Sequence, residues 1–383
     1  MKNVASRRCC SVTYRWRIFT PRHIYYIVQK VLAKIHLGNI RRNGEKFRAL
    51  TGVPLCAVVK ANAYGHGGEE VVNALSGVAD SFAVALIDEG VQIRAAACGK
   101  EILVLTPPIT LEDVLRGGWS GLSLTVADLM TAKLIDGVTR TRALPLNVHL
   151  KVNTGMNRYG MESSALGKAC KLLKANPFVK VEGVYSHLYT TSLQTSERQR
   201  VAFENAVALC RRYFPSVRAH LSATCGALLG KKFAFDGVRI GLGLYGYIPD
   251  GIADGGGDGK VQIPTLEKGM TVFATATTSR KYGYGGAGYG ETPFAHGTPQ
   301  TLTVCRYGYA DGFLRRRDNG LRGGETQVNT LCMDACIKAE RLPRGKRIPI
   351  MTDAAAVAKA TGTISYEVLC AATRRAEMIY DNE

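Results

Sequence analysis

The apolar run CAVV, residues 56–59, ends on Lys60 and is followed by ANAYGHGG, residues 61–68. A primary amine at the end of a buried run has two kinds of chemistry open to it. Held out of water its pKa falls, and the neutral amine forms a Schiff base with an aldehyde or accepts a proton. A lysine so placed could equally leave the sheet and reach solvent. Tyr64 adds a hydroxyl four residues on. The glycines after it leave backbone N–H groups open ahead of a helix, a combination that suits an anion such as phosphate. The stretch is not a P-loop, because the GxxxxGK(S/T) spacing is absent. Thiol and metal chemistry have weaker support. The 11 cysteines include no CxxC pair, and Cys332 and Cys336 of CMDAC lack a second pair at zinc spacing. No metal is expected, and the thiols read as small buried hydrophobes of a reduced, cytoplasmic chain.

These groups must be carried by elements, and the pattern supplies them. Short apolar runs recur at 55–60, 81–86, 102–105, 121–126, 146–152, 181–188, 218–223 and 235–241. Amphipathic stretches such as EEVVNALSGVA and SERQRVAFENAVALCRRYF lie between most of them. Buried strands alternating with helices predict a parallel sheet covered on both faces. Eight units point to a closed (β/α)8 TIM-like barrel, whose carboxyl-end face would carry Lys60. Beyond the Gly- and Asp-rich stretch DGIADGGGDGK (250–260) the texture becomes Thr-, Val- and Tyr-rich, which predicts a mostly β C-terminal domain. The expected division is a tail over 1–30, a barrel domain over 31–258 that includes a leading strand at 31–37, and a β domain over 259–383. The leading strand VLAKIHL also reads as a partner for the β domain.

The net charge of +19 suggests nucleic acid, but its distribution argues otherwise. Ten Lys and Arg precede the first acid, Glu45, so more than half of the charge sits in the first 42 residues. A disordered basic tail is expected there, and no nucleic-acid partner. No run of about 18 apolar residues exists, so no membrane span is expected.

AVVKANAYGHG closely resembles the pyridoxal-phosphate lysine motif of the alanine racemase family. Further matches follow in the family's order: HLKVNTGMNRYG (149–160), VEGVYSHL (181–188), HLSATCGALL (220–229), VRIGLGLYG (238–246), KYGYGG (281–286), GYADGF (308–313), CMDAC (332–336) and GTISYEVLC (362–370). The resemblance covers about residues 31–375. It implies a barrel that binds pyridoxal 5'-phosphate, a following β domain, and racemisation of an amino acid, most simply alanine. D-alanine for peptidoglycan and a cytoplasmic location would follow.

Carried over by motif, Lys60 would hold the cofactor and act as the base on one face of the substrate carbon, with Tyr284 as the base on the other. A racemase needs both, since it removes a proton from one side and delivers one to the other. In the family that tyrosine comes from the partner subunit, so the resemblance implies a homodimer with a shared site. Arg239 would face the pyridine nitrogen and leave it unprotonated. Tyr64, Thr224, Gly241, Leu242 and Tyr366 would hold the phosphate. His187 would lie beside the cofactor ring and contact Arg239. Arg158 would meet the substrate carboxylate, the backbone of Met333 would touch the substrate, and Lys151 matches a lysine that is carbamylated in many members. The chain departs from the family pattern at Ala223-Thr224, where Asn-Ser is usual, at Asn153, which replaces an acid, and at Gly288, which replaces an aromatic. Alternative readings are a serine or broad-specificity racemase and a non-catalytic pyridoxal-phosphate-binding protein. A barrel decarboxylase is opposed by Arg239, because that family places an acid at the ring nitrogen.

Overall fold

The computed structural model describes residues 31–252, 263–282, 288–289, 300–315, 321–323, 326–328 and 330–383. The expected basic tail over 1–30 lies outside the described residues. The described residues begin with strand β1 (Leu32–His36), which runs directly into the helix Leu37–Thr51. Eight further strands follow: β2 (Leu55–Val58), β3 (Ser81–Val84), β4 (Ile102–Val104), β5 (Ser123–Val126), β6 (Leu146–Lys151), β7 (Val179–Tyr185), β8 (Arg218–His220) and β9 (Val238–Ile240). All neighbouring pairs are parallel, in the order β8-β7-β6-β5-β4-β3-β2-β9. This is the expected barrel. Its seam lies between β8 and β9, where Arg239 N–H donates to the Ser222 carbonyl at 2.9 Å and Asp236 N–H to that of Ala219 at 2.9 Å.

All eight apolar runs form strands, for the reason the pattern suggests. Leu55, Ala57, Phe82, Val84, Leu124, Val148, Leu150 and Val184 are all fully buried, packed inside the barrel or under its helices. Seven of the eight strands end earlier than their apolar runs do, β5 alone ending with its run at Val126. β2 stops at Val58, two residues short of Lys60, and β7 at Tyr185, three short of Leu188. The residues in between have left the ladder to build the loops of the carboxyl-end face. Helix starts are marked by side-chain caps. Thr110 accepts from Asp113 N–H at 3.1 Å while Asp113 Oδ2 accepts from Thr110 N–H at 2.9 Å, and Asp128 Oδ1 accepts from Thr131 N–H at 2.7 Å.

The second sheet contains β10 (Met270–Tyr282), β11 (Gln300–Arg306), β14 (Thr330–Leu331), β15 (Cys336–Lys338), β16 (Arg347–Met351) and β17 (Glu377–Asp381), while β12 (Leu321–Gly323) and β13 (Thr326–Val328) pair with each other. β1 belongs to this second sheet. It lies between β10, antiparallel with Leu32 opposite Phe273, and β17, parallel with Leu32 opposite Glu377. The described chain therefore opens in the second sheet, forms the barrel, and returns. Helices Ala354–Thr361 and Ser365–Ala372 join β16 to β17. Among the described residues no helix is long and apolar enough to cross a membrane.

Helix Ser365–Ala372 docks on the segment that follows Lys60. Thr373 Oγ1 donates to the Gly65 carbonyl at 3.0 Å, and Gly65 adopts φ +80°. A Cβ there would stand 2.5 Å from the Leu369 carbonyl oxygen. Gly65→Ala combines a left-handed strain with a backbone clash, so it should cost about 1–3 kcal/mol in a urea unfolding curve. An unchanged midpoint would mean that this docking contact does not constrain the fold.

Candidate active site

Lys60 stands where β2 gives way to an unusual turn. Ala61, Asn62, Ala63 and Tyr64 all have φ near +53°, a left-handed helical turn made of four non-glycine residues. Left-handed backbone costs about 1–2 kcal/mol per L-residue, and such strain persists only where the surroundings over-determine it. Side-chain brackets provide that here. Glu89 Oε1 accepts from Ala61 N–H at 2.7 Å, and its other oxygen accepts from Ala85 and Leu86 N–H at 2.7 and 3.0 Å. Asn62 Oδ1 accepts from Gly68 N–H at 2.7 Å. The Lys60 amine is partly buried. Burial, and next the Arg158 charge, lower its pKa from the usual lysine value. The amine is thus tuned toward the neutral form that nucleophilic or basic chemistry requires.

The turn delivers Tyr64 to a second cluster. Its ring packs on Tyr245 at 4.8 Å and on Tyr366 at 5.9 Å between centroids. Burial pushes both phenols up, Tyr366 to about 12, so they stay protonated hydroxyls. Gly241 faces this hydroxyl closely, since a Cβ there would lie 2.6 Å from Tyr64 Oη. Thr224 Oγ1 accepts from Gly243 N–H at 3.1 Å in the 3-10 turn Leu242–Tyr245. Tyr64, Gly241, Thr224 and Tyr366 therefore lie close together, with Leu242 next to Gly241 at the start of the same turn. Helix Ser365–Ala372 contributes Tyr366 from the second domain.

Arg239 is buried at the barrel seam and bonded entirely to neutral acceptors. Its Nη1 donates to His220 Nδ1 at 2.9 Å and to the His220 carbonyl at 2.6 Å. Its Nη2 donates to the carbonyls of Ser186 at 2.6 Å and Leu221 at 3.1 Å. These four bonds use all four Nη hydrogens and leave the Nε–H as the guanidinium donor not engaged by them. The donors then fix tautomers in sequence. His220 Nδ1 accepts, so its Nε2–H donates to His149 Nδ1 at 2.9 Å, and His149 Nε2–H donates to Glu101 Oε1 at 2.8 Å. Arg218 closes the chain on Glu101 Oε2 at 2.7 Å. A single file of hydrogen bonds thus runs from Arg239 to the opposite mouth of the barrel. Sequence reading assigned the histidine beside Arg239 to His187. The hydrogen bond to Arg239 is made by His220, on the strand across the seam from β9, while His187, two residues beyond the end of β7, feels the Arg239 charge.

Lys151, at the end of β6, is 8% exposed and its Nζ lies 4.3 Å from the centre of the Tyr185 ring. Burial, then the charges of Arg239 and Arg158, push its pKa well below the usual value. His187 is driven well down by burial and by the same cations. Arg158 sits in an exposed loop shaped by Asn153. The Asn153 amide oxygen accepts from Gly155 and Asn157 N–H at 3.0 and 3.2 Å, and its Nδ2 donates to Asn157 Oδ1 and Glu162 Oε1, each at 2.9 Å. Asn153 thus provides the loop-capping oxygen although it departs from the acid of the family pattern. Met333 belongs to a different place, a half-exposed turn of the second domain. The buried Asp311 holds that turn through Arg375, which spans from Asp311 to Asp334 at 2.9 and 2.8 Å, while Ala310 N–H donates to the Met333 carbonyl at 3.0 Å. Tyr284 lies outside the described residues, just past the end of β10.

Comparisons with known proteins agree with this fold. Residues 35–249 match the family described as alanine racemase, N-terminal domain, and residues 270–380 match alanine racemase, C-terminal domain. The chain belongs to the alanine racemase family. Among curated relatives, alanine racemase of Treponema pallidum is 33% identical over 91% of this chain and 98% of its own. That of Lactobacillus delbrueckii subsp. bulgaricus is 32% identical over 91% of this chain and 97% of its own. Among solved structures, alanine racemase of Clostridium difficile 630 superposes with a TM-score of 0.82 at 27% identity, covering 93% of this chain and 97% of that one. The E. faecalis alanine racemase gives a TM-score of 0.80, also at 27% identity, covering 92% and 98%. Family membership makes this chain an amino-acid racemase, an isomerase.

Glu101 is where the buried file meets charge. Burial would raise its carboxyl, but the hydrogen bond from His149, together with the charge and hydrogen bond of Arg218, outweighs this and holds it below the usual carboxylate range. A depressed carboxylate stabilises the fold above its unfolded-state pKa, and that contribution is lost as pH falls through the folded value. Glu101→Gln should therefore lower stability near neutrality by about 1–3 kcal/mol. Its gap to wild type should narrow as pH drops below about 4. Denaturant titrations at neutral and acid pH check this, and a gap that stays constant with pH would show that the Glu101 charge contributes nothing.

Proposed function

We propose that this chain is a pyridoxal-phosphate-dependent alanine racemase interconverting L- and D-alanine. The observation that carries this reading is the hydrogen-bond inventory of Arg239. Its four Nη hydrogens are spent on the barrel wall, so the group is rigid, and the Nε–H remains to meet an aromatic ring nitrogen. The other parts fit the same cofactor. The hydroxyls of Tyr64, Thr224 and Tyr366 near the backbone of Gly241 and Leu242 suit a phosphate. The amine of Lys60, tuned toward neutrality, suits an aldehyde.

When bound, pyridoxal phosphate withdraws electrons from the α-carbon of an attached amino acid, which makes the α-proton mobile. This chain's residues do the rest. Lys60 holds the cofactor and moves a proton at its Nζ on one face of the α-carbon. The hydroxyl of the partner subunit's Tyr284 serves the other face, so that a proton removed from one side is replaced from the opposite side. Arg239 would donate to the ring nitrogen without protonating it, which would leave the ring a weaker electron sink and favour return of a proton over loss of the carboxylate. Arg158 meets the substrate carboxylate, and His187 lies beside the ring. Lys151 is a buried amine with two arginines for neighbours. As a carbamate it would turn from a third cation into an anion that orients Arg158. The barrel domain, 31–258, carries the cofactor side of the site. The domain over 259–383 carries Tyr284 and Met333 to the partner, so a homodimer completes the site. In a bacterial cytoplasm the D-alanine would enter peptidoglycan.

The test is chiral chromatography of L-alanine and L-serine, each incubated separately with purified protein and pyridoxal phosphate. D-alanine should form, and should vanish in Lys60→Ala. Tyr284→Phe should lower kcat by about 10²–10⁴-fold, the worth of a positioned general acid or base. An excess of D-serine would move the assignment to serine. No D-product from protein that has visibly taken up cofactor would sink the catalytic reading.

A further inference from the structure

We propose that His66 is a positioning residue that holds the left-handed turn bearing Lys60 and Tyr64, acting through its Nδ1–H on the carbonyls of Ala63 and Tyr64. The inference rests on the reading of Lys60 and Tyr64 given above and assigns a part to a residue that reading leaves idle.

His66 Nδ1 lies 2.9 Å from the Ala63 carbonyl oxygen and 3.0 Å from that of Tyr64. A ring nitrogen facing two acceptors must carry the hydrogen, which makes Nδ1–H the tautomer and leaves Nε2 bare. The rest of the cage agrees. Nε2 is buried with no hydrogen-bond partner among the described residues, and a Cβ built on Gly269 would stand 3.1 Å from it and 3.1 Å from Ile40. A second N–H there would have nothing to donate to, so the cage accepts a neutral ring only. Burial agrees, lowering the imidazole to about 4.

The ring is held as firmly as it holds. It stacks on Tyr245, with centroids 4.5 Å apart and planes 28° apart. Tyr245 in turn donates its hydroxyl to the Val58 carbonyl at 3.0 Å, two residues before Lys60, and packs against Tyr64. The turn is thus gripped at three points. Glu89 takes the N–H at its start, Asn62 takes Gly68 N–H beyond its end, and His66 takes the two carbonyls where Tyr64 departs. Glycine would adopt this backbone unaided. Four consecutive non-glycine residues require external donors and acceptors to hold it. Releasing the two carbonyls would let Tyr64 swing from Gly241 and Lys60 from the barrel mouth.

Two substitutions separate donor from packing. His66→Phe keeps a ring to stack on Tyr245 and removes the N–H. His66→Asn removes the ring and keeps an N–H donor near the Nδ1 position. Each apoprotein is titrated with pyridoxal phosphate, followed by visible absorbance, with thermal unfolding recorded alongside. The Phe variant should bind the cofactor about ten-fold more weakly, the worth of one buried hydrogen bond, and the Asn variant should stay nearer to wild type. Phe binding as tightly as wild type, or Asn losing as much as Phe, would overturn the proposal. Should either variant fail to fold, nitrogen-15 NMR of the wild-type chain decides by itself. A His66 ring protonated at Nδ1 supports the proposal, and one protonated at Nε2 overturns it. Wild-type protein that takes up no pyridoxal phosphate at all would instead defeat the reading of the site, and the NMR result would still stand for the turn.

Discussion

Positive charge crowded into a low-dielectric barrel mouth is the constraint on which the site depends. Lys60, Lys151, Arg158 and Arg239 act on one another there, and the bonds of Arg239 go to carbonyls and an imidazole rather than to a carboxylate. Arginine keeps its proton under such pressure and lysine does not. The lysines therefore shift toward neutral amines, and the arginines remain as fixed donors. The same crowding makes the mouth receptive to anions. A phosphate, a carboxylate or a carbamate entering it relieves repulsion as well as forming hydrogen bonds.

The barrel tolerates this because the compensating acid is held at a distance. Glu101 lies at the amino end of β4 and is linked to Arg239 only through two histidines of fixed tautomer. A carboxylate placed directly against Arg239 would have neutralised the mouth and raised the basicity of the lysines. The relay orients the guanidinium without discharging the site. Tyr185 and His220 stack with ring centroids 5.0 Å apart and nearly parallel planes.

The second domain is part of the site and not an appendage to it. Its sheet takes β1 between β10 and β17, so both ends of the described chain are tied together. Its helix Ser365–Ala372 brings Tyr366 to Tyr64 and anchors the turn at Gly65. Near the end of the same helix, Met333 is half-exposed on the turn that Asp311 and Arg375 hold. One domain thus packs on the segment that follows Lys60 while exposing the Met333 turn.

Much of this was legible in residue order. Period and polarity identified all eight barrel strands, because a strand buried on both faces must be apolar throughout, and the long motif around Lys60 located the lysine at a strand end. Other features had no local signal. Glu101 and His149 look like a charge at a strand start and a histidine on an apolar strand, and their partners lie 48 and 71 residues away. That His220 makes the hydrogen bond to Arg239 depended on which strand borders the barrel seam. The left-handed turn was hidden because Ala61, Asn62, Ala63 and Tyr64 are ordinary residues, and what holds them in that conformation is Glu89, His66 and a helix from the far end of the chain. Sequence by itself determined the element types, the barrel and the family, since these follow from hydrophobic period and contiguous motif. Tertiary structure alone decided the tautomers, the depressed lysines and the strained turn, since those depend on burial and on neighbours that only folding brings together.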